Sequence, residues 1–311
     1  GFIPMDSAVT TTSGDVYNLD PYITYINIRN KDKHSLRTRY MKVINDNSVK
    51  GVDNGQDNKS ETYYSEYQYQ KSIEGWGLNW TSGIMNEIVD AKAELFNGRN
   101  YRINNAFFSQ LDKKFGKRLN LSAGARYEQF SLQSESGIVI DEDSLKFFTE
   151  GKPVFRFGAN YQLAEATYLR SSWGQGYRFP SIAELFISTN VGDIHVYANP
   201  NLKSEEGWSS EIAFRQGLKF RDWKGYIDIA AFMMRYQDMM EFSFGPWGTE
   251  GQDGIANTGL GFKSINIGET QVSGIEFSIA GTGRLVNNTD INILAGYLYT
   301  DPIALNPLYV Y

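Results

Sequence analysis

Apolar residues recur at every second position along most of this chain, and the face between them carries full charges. In VFRFGANYQL one face is Phe155, Phe157, Ala159, Tyr161 and Leu163, and the other is Val154, Arg156, Gly158, Asn160 and Gln162. In LNLSAGARYEQF, Leu119, Leu121, Ala123, Ala125 and Tyr127 oppose Asn120, Ser122, Gly124, Arg126 and Glu128. EIAFRQGLKF sets Ile212, Phe214, Leu218 and Phe220 against Glu211, Ala213, Arg215 and Lys219, and INILAGYLYT aligns Ile291, Ile293, Ala295, Tyr297 and Tyr299. A period of two belongs to half-buried strands and excludes amphipathic helices.

The breaks between these segments are of two kinds, and they alternate. Tight turns are expected at Asn30–His34, Glu74–Trp76, Phe115–Arg118, Ala164–Ala166 and Phe220–Trp223, with a looser one at Gly281–Asp290. Long polar loops are expected at Asp46–Ser60, Ile88–Asn100, Ser134–Lys152, Phe179–Glu206 and Glu241–Gly261. The pattern gives about twelve antiparallel strands in hairpins. A soluble sandwich has short strands and no reason for loops to differ between its two ends. A transmembrane barrel has long strands, an apolar outer face, short turns at one rim and long loops at the other. Tyr-rich strand ends such as TYYSEYQY and GYLY suit aromatic girdles at the lipid headgroups. The expected fold class is therefore all-β: a transmembrane antiparallel β-barrel.

Bulk properties narrow the function. The net charge of −6 gives no reason to expect a nucleic-acid partner, and the absence of Cys removes disulfides, thiol nucleophiles and thiolate metal sites. No apolar run reaches the length of a transmembrane helix, and GFIPMDSAVTTTSGD has neither the basic nor the apolar part of a signal peptide, so the sequence reads as a mature or truncated piece.

Certain stretches are more specific. YLRSSWGQGYRFPSIAELF, followed by NPNLKSEEGWSSEIAF, resembles the barrel of TonB-dependent outer-membrane receptors: a Gly-aromatic-Arg-x-Pro segment, Glu-Leu-Phe, then Asn-Pro-x-Leu-Lys-x-Glu. The motif residues are Arg178, Pro180, Glu184, Asn199, Pro200, Leu202 and Glu205. NAFFSQLDKKFGKRLNLSAGARYE, NIGETQVSGIEFSI and LAGYLYTDP resemble further strands of that family, in its order, from Asn105 to about Pro302. The resemblance implies a receptor in the outer membrane of a Gram-negative bacterium. Such a receptor binds a scarce solute outside (a siderophore, haem, cobalamin or an oligosaccharide) and imports it by TonB-driven transport. The implied partners are outer-membrane lipid, the protein's own plug domain, the TonB complex through that plug, the ligand and, as an optional partner, a surface lipoprotein. The family barrel has about 22 strands around a plug. About twelve are counted here, no plug segment is visible, and a half barrel would leave two strand edges in lipid. Residues 1–311 are thus expected to be an incomplete, C-terminal-type barrel region, with plug and other strands in a longer molecule.

Candidate side chains follow from position. His195, with Asp193 two residues away, falls on the longest loop together with Tyr197. An Asp/His pair there could be catalytic, contact a ligand or be an ordinary loop histidine. No Gly-x-Ser-x-Gly elbow accompanies it, so no catalytic residue is expected. His34 falls in a tight turn at the opposite rim. Trp247, in the Gly-rich FGPWGTEGQDG, is expected to be exposed as an aromatic platform. Asp141–Ser144 lacks the spacing of a calcium loop, so neither a metal site nor a cofactor is expected. MMRYQDMM, Met233–Met240, breaks alternation and reads as a bulge or strand end. The remaining alternatives are a passive porin and a barrel enzyme. Strand parity turns Arg170, Arg178, Glu205, Glu211 and Arg215 toward the lumen, and it brings Arg178 and Glu205 to one rim, where they pair or Arg178 engages the plug. Ser181 and Glu184 form a capping-box pattern for one helical turn over the mouth.

Overall fold

The computed structural model describes residues 10–49, 52–53, 57–96, 98–135, 147–191, 194–248, 259–286 and 289–305. Asp141–Ser144 and Asp193 lie outside the described residues. The chain forms β1 (Thr10–Leu19), β2 (Tyr22–Asn27), β3 (Asp32–Val49), β4 (Val52–Asp53), β5 (Asn58–Ile73), β6 (Leu78–Ala93), β7 (Gly98–Phe115), β8 (Leu119–Ser134) and β9 (Phe147–Ala164). It continues with β10 (Thr167–Arg178), helix α1 (Ile182–Phe186), β11 (Thr189–Val191), β12 (Ile194–Tyr197), β13 (Glu205–Phe220), β14 (Trp223–Gln237), β15 (Met239–Pro246), β16 (Leu260–Ile267), β17 (Thr270–Val286) and β18 (Thr289–Ala304).

One antiparallel sheet is the wall. It runs β1-β3-β5-β6-β7-β8-β9-β10-β13-β14-β17-β18, twelve strands in succession, with β2 and β4 also pairing with β3. Cross-strand register puts like with like. One row reads Leu111–Ala123–Phe157–Trp173, and the row behind it reads Gln110–Gly124–Arg156–Gly174–Ser209. Large apolar side chains stand out on the first face: Phe157 is 53% exposed, Ile275 54% and Tyr297 67%. In water such a surface would be an aggregation hazard, whereas hydrocarbon is its matching solvent. The fold is a partial, nearly all-β barrel wall, with its apolar face outward and its charged face toward the lumen.

At the short-turn end of the outer face, aromatic rings cluster. His34 lies 5.9 Å from Tyr25, 6.1 Å from Tyr67 and 5.1 Å from Tyr69, ring centre to ring centre, and its Nδ1 is 2.7 Å from the Tyr67 hydroxyl. This corrects the turn placement of His34, since β3 already begins at Asp32. Such rings with polar tips suit a headgroup girdle.

Several loop boundaries also differ from expectation. Ile88–Asn100 is not a long loop: β6 and β7 continue through it and join by a 3-10 turn at Glu94–Phe96. The backbone ladder does not need apolar side chains to persist into water, and the Arg99–Asp90 ion pair at 2.6 Å ties the polar end together. Polar residues of Asp46–Ser60, Ser134–Lys152 and Glu241–Gly261 are likewise recruited into strands, and the looser turn at Gly281–Asp290 is tight, because β17 runs to Val286 and β18 starts at Thr289. In MMRYQDMM the break is at Asp238, whose φ of 52° turns the chain out of the wall and into β15.

Gly274 shows why one strand interior needs glycine. A Cβ there would sit 2.3 Å from the Tyr299 carbonyl and 2.6 Å from the Phe232 ring, so the ring fills the space a side chain would take.

Candidate functional site

Above the wall, on the long-loop side, lies a second sheet ordered β11-β12-β16-β15. It joins two loops far apart in sequence: β12 runs parallel to β16, with His195 opposite Gly261 and Tyr197 opposite Lys263. β15 pairs antiparallel with β16, with Ser243 opposite Lys263. Two faces result. His195, Tyr197 and Lys263 share one. Val196, Phe244 and Phe262 share the other, where Phe262 stacks on Phe242 at 5.1 Å and meets Phe244 at 5.2 Å.

On the first face the His195 ring stands edge-on to Tyr197 at 4.5 Å, and its Nδ1 is 2.7 Å from Asn190 Oδ1. An amide oxygen only accepts, so Nδ1 is the donor in this contact and Nε2 is the ring nitrogen left to meet a ligand. Trp247 joins this region but is half-buried rather than exposed. Its Nε1 donates to the Ser243 carbonyl at 3.0 Å, and Lys263 Nζ lies 6.0 Å from its ring centre. Those contacts hold the indole against the sheet.

The loop sheet is fastened to the wall by the motif residues. β10 ends at Arg178, and buried Pro180 supplies no N–H with which to prolong the ladder. Ser181 then caps α1: its Oγ accepts from the Glu184 amide at 3.2 Å, and the Glu184 carboxylate accepts from the Ser181 amide at 2.8 Å. Arg178 grips two carboxylates, Glu205 at 2.7 and 3.0 Å and Glu184 at 2.8 and 2.9 Å. Glu205 also accepts from the Met240 amide at 2.6 Å, which ties the start of β15 to the same knot. Burial opposes ionisation of Glu184, but the Ser181 amide and the Arg178 guanidinium outweigh it, leaving the carboxyl below its ordinary range.

Underneath, α1 and the following loop close an apolar plug of side chains. Phe130, Leu132, Leu185, Phe186 and Leu202 are each at most 2% exposed, and Phe179 stacks on Phe130 at 4.5 Å. Fully burying one such side chain contributes about 1.5–3 kcal/mol. The Asn199 side-chain amide donates to the Ser264 carbonyl at 2.8 Å, clamping the loop to β16. Half-buried Pro200 begins the turn that leads to Leu202. Pro180, Glu184, Asn199, Pro200 and Leu202 thus fix the loop architecture.

The lumen face carries a ladder of charge below this knot. Arg170 and Arg215 both bind Asp228, at 2.8 and 2.5 Å, and the Arg215 guanidinium lies 4.5 Å from the Tyr226 ring centre. Glu211 stands opposite Ser172 and Phe232 and has no ion pair among the described residues. Buried atoms on this face lack partners among the described residues, including Arg102 Nε, Asn104 Oδ1, Asn160 Oδ1 and Arg170 Nε.

The sequence reading missed Asn266, whose side chain spans Lys203 and Asp238, and the cluster under α1. The second had a signal. Phe130 and Leu132 fall on the otherwise polar parity of β8, at its loop end.

A family model described as "TonB dependent receptor-like, beta-barrel" matches residues 6–308, and the chain belongs to that family. The family and the structural neighbours are transport receptors, not enzymes. "Probable hemoglobin and hemoglobin-haptoglobin-binding protein 4" of Haemophilus influenzae is 23% identical over 161 residues, 49% of this chain and 15% of the relative. A double mutant of the Serratia marcescens hemophore receptor HasR, solved with its hemophore HasA and heme, superposes with a TM-score of 0.64 at 15% identity, covering 87% of this chain and 47% of that one. The copper transporter OprC gives 0.65 at 14% identity, over 95% and 48%. The FrpB iron transporter of Neisseria meningitidis gives 0.60 at 13%, over 92% and 43%. These likenesses are of fold. The chain spans about half the length of the solved structures it matches and a smaller share of the curated relative.

Proposed function

We propose that this chain is barrel wall from a longer outer-membrane receptor of a Gram-negative bacterium, which captures an iron-bearing ligand outside the cell and imports it by TonB-driven transport. Haem is the cargo favoured here. The observation that carries this choice is His195: its Nδ1 is engaged by Asn190, which leaves Nε2 as the ring nitrogen for a ligand, and the flat Tyr197 ring stands beside it on an external sheet. Neutral imidazole is a good ligand for iron, and an aromatic neighbour suits a planar macrocycle. The haemoglobin-binding relative and the heme-bound hemophore receptor support the same choice. Trp247 and Lys263 stand close enough to contribute an aromatic surface and a cation for a propionate.

The charged lumen face supports a plug domain as the occupant of that lumen: Glu211 points into it with no ion pair among the described residues, and Arg170 and Arg215 stand beside it around Asp228. The plug would also be the part that TonB engages, and Arg170, Glu211 and Arg215 are the wall's candidate contacts for it.

The test is a haem titration of the full-length receptor, followed by its visible absorption. The intact protein is expected to show a ligated-haem spectrum, and His195→Ala to bind roughly tenfold or more weakly, about 1.4 kcal/mol or more. An unchanged spectrum and affinity in His195→Ala would remove this residue from the site. Growth on haem as sole iron source, with and without TonB, separates active uptake from diffusion.

A further inference from the structure

The outer face of the wall is not uniform. Register aligns the row Lys113–Leu121–Ala159–Ser171, one step in from the short-turn end. The row on its loop side is Leu111–Ala123–Phe157–Trp173, and the row on its turn side is Phe115–Leu119–Tyr161–Leu169. Small side chains at Ala159 and Ser171 therefore leave a furrow, walled on the loop side by Leu111, Phe157 and Trp173 and toward the turn by Trp76, Leu78 and Phe115. Its volume is about 660 Å³, and its loop-side wall is stiffened by the Phe157–Trp173 stack at 5.8 Å.

At one end of this furrow stands a cation. Lys113 points outward, lies 5.5 Å from the Phe115 ring centre and donates to the Trp76 carbonyl. A lysine on a lipid-facing surface is unfavourable unless its stem lies along apolar groups while the ammonium reaches the interface. The adjoining turn adds Lys117 and Arg118, neither with an ion pair among the described residues. Lys113 thus stands at the head of an apolar trough, and the turn that follows its strand carries two further positive charges at the rim where headgroups of the inner leaflet would lie.

We infer that this furrow is a binding site for one anionic diacyl phospholipid, with its acyl chains along Ala159 and Ser171 and its phosphate at Lys113, Lys117 and Arg118. Charge selects the ligand. A zwitterionic lipid brings its own ammonium to the same three cations, whereas a lipid of net negative charge does not. The inference rests on the membrane placement proposed above, which cell fractionation checks separately, and it is independent of which solute is transported.

The experiment uses the full-length receptor in mild detergent, equilibrated with equal amounts of phosphatidylglycerol and phosphatidylethanolamine and examined by native mass spectrometry. Retention of phosphatidylglycerol in about tenfold preference is expected. The Lys113→Gln, Lys117→Gln, Arg118→Gln triple variant should lose the preference. Ser171→Leu with Ala159→Leu, which keeps the outer face apolar while filling the furrow, should lose both lipids. Heat-dependent mobility on gels confirms that each variant is folded. Equal retention of the two lipids by the unaltered receptor would overturn the inference. So would unchanged retention by the folded furrow-filled variant, or displacement of phospholipid by lipopolysaccharide or by another protein.

Discussion

Replacing Arg178 by Ala removes four N–H···O contacts in one step, at 2.7 and 3.0 Å to Glu205 and at 2.8 and 2.9 Å to Glu184. It also leaves two carboxylates facing the vacated space. Fully buried, such bonds would each be worth about 1.5–3 kcal/mol. The Arg178 side chain is 45% exposed, so water screens the loss, and the total is better placed at about 1–3 kcal/mol. The loss is local, because the wall's ladder does not pass through this side chain. It should open α1 and the start of β15, speeding hydrogen exchange there by roughly 5- to 150-fold. The reporters are the amides of Glu184, held by Ser181 Oγ, of Ile187, held by the Ala183 carbonyl, and of Met240, held by Glu205. The assay is hydrogen exchange with mass spectrometry on the full-length receptor in lipid nanodiscs, with mid-wall peptides from β8 as the reference. Arg178→Lys, which can satisfy one carboxylate but not two bidentately, should fall between. Unchanged exchange at all three amides would refute the reasoning that Arg178 joins wall, helix and loop sheet.

Phe186→Ala removes a fully buried ring from the cluster under α1 and should destabilise the external loops by about 3–5 kcal/mol, read as faster proteolysis within 180–204 while the wall stays protected. Glu184 sets a pH dependence: its folded carboxyl lies below the unfolded value, so its contribution is complete above the ordinary glutamate range of about 4.3 and is lost as pH falls below that range through the lower folded value. Amide exchange in α1 should therefore be flat from neutral pH down to that point after correction for intrinsic rates, and then rise. Gly274→Ala should impair assembly, since the new methyl meets both the Tyr299 carbonyl and the Phe232 ring; loss of the heat-dependent gel mobility would register it.

The wall was legible because its cause is local. A strand with one face in lipid must alternate, so Phe155 through Leu163 disclose both the strand and its orientation without knowledge of any partner. Parity alone carried Arg178 and Glu205 to the same rim, and the structure joins them. The capping box at Ser181 and Glu184 was visible for the same reason, being complete within four residues. The loop sheet was hidden because its pairings are remote: nothing near His195 signals that Gly261 lies beside it. Loop composition misled at Ile88–Asn100, where polar residues continue the ladder beyond the apolar span. Trp247 was misjudged because exposure was inferred from its Gly-rich surroundings, while Ser243 and Lys263 hold it in place.

The central claim is that one face of this sheet meets hydrocarbon and the other a lumen. Single spin labels placed in turn at 168 through 174 of β10, in the full-length receptor reconstituted into liposomes, test it most directly. Labels at Leu169, Ser171 and Trp173 should be relaxed preferentially by oxygen, which concentrates in lipid. Labels at Tyr168, Arg170, Ser172 and Gly174 should be shielded from it. A period-two oscillation in that phase is the predicted result; an inverted phase, or no oscillation along the strand, would contradict the account.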